Sequence, residues 1–206
     1  MRRTKEEAEK TRIAILEAAE RLFLDKGVAH TSLDQIARDA GVTRGAVYWH
    51  FQNKAHLVNE MLNQVRLPPE QLAERMQDCD PHQPLTALRD MCIEVMQSIG
   101  MNPQKCRIFT ILLHRCEFTE ELREAEERHN AFISEFIRLS EQVVQRAEAY
   151  LRPGITPRQA VISIHALIVG LMTDWTRDPS LFDPVVDAPV IIDTVFRGLL
   201  KEWPYP

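Results

Sequence analysis

From about residue 6 to residue 203, apolar side chains recur at the spacing of amphipathic helices, and few runs alternate as a half-buried strand would. The first predicted helix runs from about Glu6 to Lys26, with Ile13, Leu16 and Phe23 on one side and Gly27 as its stop. Ser32 with Gln35 forms a capping-box pattern that starts a short helix, whose apolar side is Leu33, Ile36, Ala37 and Ala40. Gly41 supplies the left-handed backbone of a sharp turn, Val42 plugs the angle, and Thr43 caps a second short helix ending near Phe51. Asn53 caps a fourth helix through Leu57, Met61 and Leu62, which Pro68 and Pro69 strain or break. A loop over Asp78–Pro84 is followed by helices predicted over 85–100, 104–116, 119–150, 157–177 and 188–203. The fold class this implies is all-α.

Two short helices joined by a tight turn make the helix-turn-helix unit that reads DNA. The second helix sorts its residues by angle: Val47 and Phe51 share the face turned to the first helix. Gly45, Tyr48 and Trp49 point away, and Thr43 and Arg44 stand at the exposed end. A glycine inside so short a helix costs about 1 kcal/mol relative to alanine. That cost makes sense where a sugar-phosphate backbone comes very close. The expected DNA-facing set is Ser32, Thr43, Arg44, Gly45, Tyr48, Trp49, His50 and Lys54. Arg44 and Thr43 suit base edges, while Tyr48, His50 and Lys54 suit phosphate oxygens.

The later helices carry two apolar stripes. One holds Val161, Ile164, Ile168, Leu171 and Trp175; the other holds Ile192, Val195, Phe196, Leu199 and Trp203. Ile162, Leu167 and Val169 lie largely off the first stripe, and a helix apolar nearly all round must be covered on two sides. Two such helices from each of two copies would form a four-helix seam, with Trp175, Phe196 and Leu199 in it. A single larger monomer core is the alternative. Isolated polar residues also stand on apolar surfaces. His165 lies on the side of Val161, Val169 and Met172, Thr110 and His114 are four apart, and Asn130 lines up with Ile133 and Ile137. Each is readable singly as a core group bonded to a backbone carbonyl.

Charge adds a qualification. The net charge of −5 is unhelpful for a DNA partner, but residues 1–60 hold 10 Lys and Arg against 9 Asp and Glu. Arg2, Arg3, Lys5, Lys10 and Arg12 cluster where an arm can touch phosphate, so a modest salt slope is expected. The stretch Val161–Met172 is too short and too interrupted to span a bilayer, and the charged N-terminus lacks an apolar signal segment. A soluble cytoplasmic protein is expected. Cys79, Cys92, Cys106 and Cys116 form no CxxC and no zinc-ligand spacing, so buried free thiols are expected, with a Cys106–Cys116 redox pair as the alternative. No metal or cofactor box is present, and an enzyme using His114 or His165 as a base would have no second catalytic group at a recognisable spacing.

The stretch Thr11–Leu62 resembles the N-terminal domain of TetR-family transcriptional regulators. The pattern comprises Ile15, Leu16, Ala18, Ala19, Phe23 and Gly27, then Thr31, Ser32, Ile36 and Ala37. It continues with Ala40, Gly41, Val42, Thr43 and Gly45, then Tyr48, His50, Phe51, Lys54 and Leu57. Arg3-Thr4-Lys5, VTRGAVYWHF and ILLHRCEF at 111–118 further resemble the AcrR- and TtgR-like branch, which represses multidrug efflux pumps. The resemblance implies a three-helix helix-turn-helix domain over 1–60 and a ligand-binding and dimerisation domain over 61–206. It implies a homodimer on a pseudo-palindromic double-stranded DNA operator, released by a hydrophobic small-molecule inducer. With the resemblance, Thr110, His114, Asn130, Ile133, His165, Val169 and Met172 are expected to line the inducer pocket. A TetR-type regulator of a metabolic operon is the alternative within the same class.

Overall fold

The computed structural model describes residues 5–66, 71, 73–75 and 84–203. They are helical almost throughout. The elements are α1 Lys5–Lys26, α2 Leu33–Asp39, α3 Arg44–His50, α4 Lys54–Asn63, α5 Pro84–Met101, α6 Pro103–Thr110, α7 Arg123–Arg146, α8 Pro157–Arg177 and α9 Asp187–Leu199. Among the described residues there is no strand, and one antiparallel bridge joins Leu151 to Leu200. The chain forms two compact units, residues 1–66 with 107–130, and residues 67–106 with 131–206.

In the first unit the helix starts are set by side-chain caps. Gln35 N donates to Ser32 Oγ at 3.2 Å, and Ser32 N donates to Gln35 Oε1 at 2.7 Å, the reciprocal pair expected for α2. Thr43 Oγ1 accepts from Ala46 N at 3.2 Å to start α3, and Asn53 Oδ1 accepts from His56 N at 2.7 Å to start α4. Gly41 takes φ +66° between α2 and α3, as the sharp turn requires. Ile15, Phe23, Val28, Ile36, Val47, Phe51, Leu57, Ile108, Ile111 and Leu122 share one buried core.

Residues 107–130 belong to this unit because α1 meets the turn after α6 and α4 meets the turn before α7. Val28 N donates to the Arg115 carbonyl at 2.9 Å, and Arg107 pairs with the buried Glu20. Helix α6 ends earlier than the spacing predicts: Ile111–Arg115 form a wider π turn and Cys116 is extended. The predicted 119–150 helix is likewise divided, with tight 3₁₀ turns at Glu120–Leu122 and Glu148–Tyr150 flanking α7.

The second unit packs α5 against α8 and α9. Helix α8 starts with Pro157 behind a Thr156–Gln159 capping box. Gly100 is needed on α5 because Pro184 lies 2.4 Å from where a Cβ would stand. Arg89 grips Asp193 of α9 through two nitrogens, at 2.8 and 2.9 Å. The last helix stops at Leu199 rather than 203. The expected break at Pro68–Pro69, most of the 78–84 loop, Cys79 and the arm residues Arg2 and Arg3 lie outside the described residues.

Each stripe is partly core: Val161, Ile164, Trp175, Ile192 and Phe196 are buried, while Ile168, Leu171, Val195, Leu199 and Trp203 are half-buried. Phe196 is 1 % exposed and Trp175 is buried, Leu199 is half-buried, and the Phe196 ring lies 5.0 Å from that of Trp203. The expectation that Trp175 and Phe196 form the dimer seam is therefore corrected. Each is already covered within its own unit and has no face left for a partner. The exposed large apolar residues of this unit include Ile162 and Val169 on α8 and Val186 and Val190 at the start of α9, along with Met101, Tyr150, Leu181 and Val185.

Candidate nucleic-acid interface and inducer residues

Helix α3 is seven residues long and buries only Val47, while Phe51 just beyond it is fully covered. The rest of its surface faces outward. Thr43, Arg44, Gly45 and Tyr48 are exposed, and Trp49 is 73 % exposed, an unusual state for the largest side chain. A Cβ on Gly45 would meet nothing closer than Thr43 Oγ1 at 3.9 Å. The packing of the fold itself does not require glycine there. His50 is half-buried and holds its ring edge-on to Trp49, centroids 4.5 Å apart. Ser32 is exposed one turn away and is engaged in capping α2.

Arg44 does not wave freely. Its Nε lies 3.1 Å from Asp34 Oδ1, and Nη1 donates to Asp34 Oδ2 at 3.4 Å. The guanidinium sits over the Tyr48 ring at 5.4 Å from its centroid. The Tyr48 hydroxyl and then the Asp34 carboxylate raise its pKa above the usual arginine value. Neither the Asp34 contact nor its position beside the reading helix was visible in the residue spacing.

Lys54 departs from expectation. Its side chain is 4 % exposed, and Nζ donates to the carbonyls of Val28 and Thr31 at 3.1 and 3.0 Å. The same ammonium pairs with Glu121 at 2.8 Å. An ammonium has three donors, and these three acceptors occupy them, so none is left for a phosphate. Lys54 ties the loop after α1 to the start of α4. Arg12, also expected near phosphate, pairs with Glu60, and its guanidinium stands 5.8 Å from the Phe51 ring centroid.

The expected inducer residues divide between the two units. Thr110, His114 and Asn130 belong to the first; Ile133, His165, Val169 and Met172 belong to the second. The π turn over Ile111–Arg115 lies between Thr110 and His114 and replaces the i→i+4 bonding of an α-helix with i→i+5 bonding. Thr110 is half-buried, whereas His114 and Asn130 are exposed. In the second unit His165 stands 6.2 Å from the Phe136 ring, with Ile133 half-buried and Met172 buried. Burial draws the His165 pKa below the ordinary imidazole value, and its Nε2 has no hydrogen-bond partner among the described residues. Val169 faces outward with Ile162. The spacing also gave no sign of Arg66, which meets His129 while His129 stacks on Phe118 at 6.2 Å. Burial lowers the Arg66 pKa to about 10.

A family model described as bacterial regulatory proteins of the tetR family matches residues 15–61, across α1–α4. A second, for the C-terminal region of MAATS-type transcriptional repressors, matches residues 83–201. The chain belongs to the TetR family. This TetR-family regulator is 36 % identical to the HTH-type transcriptional regulator TtgR of Pseudomonas putida over 94 % of its own length and 93 % of TtgR. It is also 36 % identical to AcrR of Shigella flexneri, covering 88 % of this chain and 86 % of AcrR. Among solved structures it is similar to NalD, the secondary repressor of the MexAB-OprM multidrug efflux pump in Pseudomonas aeruginosa. That similarity has a TM-score of 0.91 at 63 % identity and covers 97 % of this chain and all (100 %) of NalD. It is similar as well to the SmeT–triclosan complex, SmeT being the repressor of the Stenotrophomonas maltophilia pump SmeDEF. There the TM-score is 0.81 at 30 % identity, over 95 % of this chain and 94 % of that one. No described helix of the TetR-family chain is long and apolar enough to cross a membrane. No cluster of three or more His, Cys, Asp or Glu that could hold a metal occurs among the described residues.

Proposed function

We propose that this TetR-family chain is a cytoplasmic, dimeric repressor of a multidrug efflux operon, released from its operator by a hydrophobic compound and without enzymatic activity. The carrying observation is α3, a seven-residue helix that leaves Arg44, Tyr48 and Trp49 outside a fully formed core. On this reading residues 1–60 bind DNA and residues 61–206 bind the inducer and the second copy. Thr43, Arg44 and Trp49 meet base edges in the major groove, Tyr48 and His50 meet phosphates, and Gly45 lets the backbone come close. A pseudo-palindromic operator requires two such helices about 34–36 Å apart. A second copy covering the exposed apolar residues Ile162, Val169, Val186 and Val190 would provide the two-fold. Pump repression is the biological assignment carried by NalD, SmeT and the other similar repressors. The inducer anchor is His165, a neutral imidazole able to give or take one hydrogen bond beside Phe136 and Met172.

The test is to sequence the genomic fragments that the purified protein retains and then to challenge the complex with triclosan. One inverted repeat beside a pump operon, released by triclosan, is expected. Triclosan release by His165→Ala should need on the order of tenfold more compound, with apo DNA binding unchanged, as for loss of one hydrogen bond in a pocket. Retention no better than for scrambled duplex would overturn the repressor reading; unchanged release from His165→Ala would overturn the anchor alone.

A further inference from the structure

We propose that Asp34 is a positioning residue for Arg44 that lowers general attraction to DNA and raises discrimination between sequences. The proposal rests on the reading of α3 as the DNA-reading helix.

Asp34 stands in the first turn of α2, ten positions before Arg44. The sharp turn at Gly41 folds the two helices so that the carboxylate meets the guanidinium, Nε at 3.1 Å and Nη1 at 3.4 Å. Tyr48, one turn along α3, closes the other side. Its ring lies under the guanidinium, and its hydroxyl accepts from Nη2 at 3.5 Å. Arg44 is thus held by groups on two helices while its side chain stays 66 % exposed. Exposed ion pairs contribute little to stability, and a carboxylate in the first turn of α2 gains a modest helix-terminus benefit that does not require Arg44. A polyanion gives a reason against this carboxylate, because a negative charge beside the reading arginine opposes phosphate.

The geometry supplies a compensating gain. A free arginine has about 2 kcal/mol of rotamer entropy to lose, and a preoriented fork loses less of it on binding. Nη1 donates one hydrogen to Asp34 and Nη2 one to Tyr48, so each Nη keeps its second hydrogen. A guanidinium with donors to spare suits the O6 and N7 acceptors of guanine. An unrestrained arginine would swing to the nearest phosphate on any sequence. With Asp34 beside it, phosphate contact is opposed and the guanine edge is favoured.

The experiment selects duplexes from a randomised library with the full chain, comparing wild type, Arg44→Ala, Asp34→Asn and Asp34→Ala. Each protein is then titrated on one scrambled duplex over a salt series. Wild type should enrich an inverted repeat, and Arg44→Ala should lose preference at one base pair in each half. Both Asp34 variants should lose preference at that same base pair, the operator-to-scrambled ratio falling on the order of tenfold. They should bind the scrambled duplex several-fold more tightly and with a steeper salt slope, because one opposing charge per subunit is gone. If the Asp34 variants keep the base preference, or weaken on both duplexes alike, the positioning role is overturned. If Arg44→Ala selects the wild-type motif, α3 is not the reader through Arg44 and the underlying reading fails first.

Discussion

Helix α3 and the α8–α9 pair both present apolar side chains to solvent, but for opposite structural reasons. Helix α3 has seven residues and one buried position, so nearly every side chain it carries is available for contact. Its aromatic surface follows from shortness. Helix α8 has twenty-one residues, and one of its faces, through Val161, Ile164, Met172 and Trp175, is already packed into its own unit. What remains outside is a second face, Ile162, Ala166, Val169 and Thr173, at spacings of four and three. Helix α9 adds Val186 and Val190 next to its N-terminus. In a short helix the display can be read directly from residue type. In a long helix apolar on two sides, the first stripe found is the one that packs within its own unit, and the second stays outside it.

The largest effect expected separates those two stripes. Phe196→Glu puts a carboxylate where a fully covered ring stood and should cost at least about 3–5 kcal/mol, leaving no folded second unit. Val190→Glu changes a side chain that is 65 % exposed and should leave helical circular dichroism intact while light scattering reports a monomer. A folded Phe196→Glu protein, or a dimer that survives both Val190→Glu and Val169→Glu, would erase the distinction.

A smaller effect tests the support beneath α3. Lys54 was legible as part of a family pattern, and its charge pointed to phosphate. Its place at the first position of α4, under the loop that ends α1, gives it carbonyls to satisfy instead. Lys54→Met should lower stability by about 1.5–3 kcal/mol, because charged hydrogen bonds are lost and two carbonyls lose a donor. Thermal melting would show it. The salt slope for scrambled DNA should stay unchanged, and a slope reduced by one phosphate would return Lys54 to the DNA surface.

The contrast between Lys54 and α3 shows what was readable in the chain. The caps at Ser32, Thr43 and Asn53, the helix start at Pro157, the turn at Gly41 and the all-helical order follow from local chemistry, and they appear where the residues call for them, whereas Thr119, which the sequence also offers as a cap, makes no side-chain capping bond. Helix ends at Thr110 and Leu199 were less legible, because the π turn after Thr110 carries no Gly or Pro, and Gly198 lies inside the last helix rather than just past its end. The burial of Lys54 depends on Glu121, 67 positions away in the chain, and the hold on Arg44 depends on the angle between α2 and α3. The outward face of α8 was half visible: its all-round apolarity called for two coverings without saying which came first.

The smallest effect compares the two units through their thiols. Burial pushes the Cys92 thiol of the second unit up to about 12. Burial and then the Glu126 carboxylate push the Cys116 thiol of the first unit up to about 11, while Lys54 pulls the other way. Only the thiolate reacts with an alkylating agent. At pH 8 Cys116 should therefore be modified roughly tenfold faster than Cys92, and both far more slowly than an ordinary exposed thiol. The linkage has a definite sign. The folded chain holds the Cys116 proton above the ordinary value of 9.0, so its stabilising contribution is complete below about pH 9 and is lost as pH rises toward 11. Mass spectrometry of iodoacetamide-treated protein over a pH series would read both rates. Equal rates at the two cysteines would remove the electrostatic difference between the units, and rapid alkylation of either would show that its thiol is not held in the protonated form.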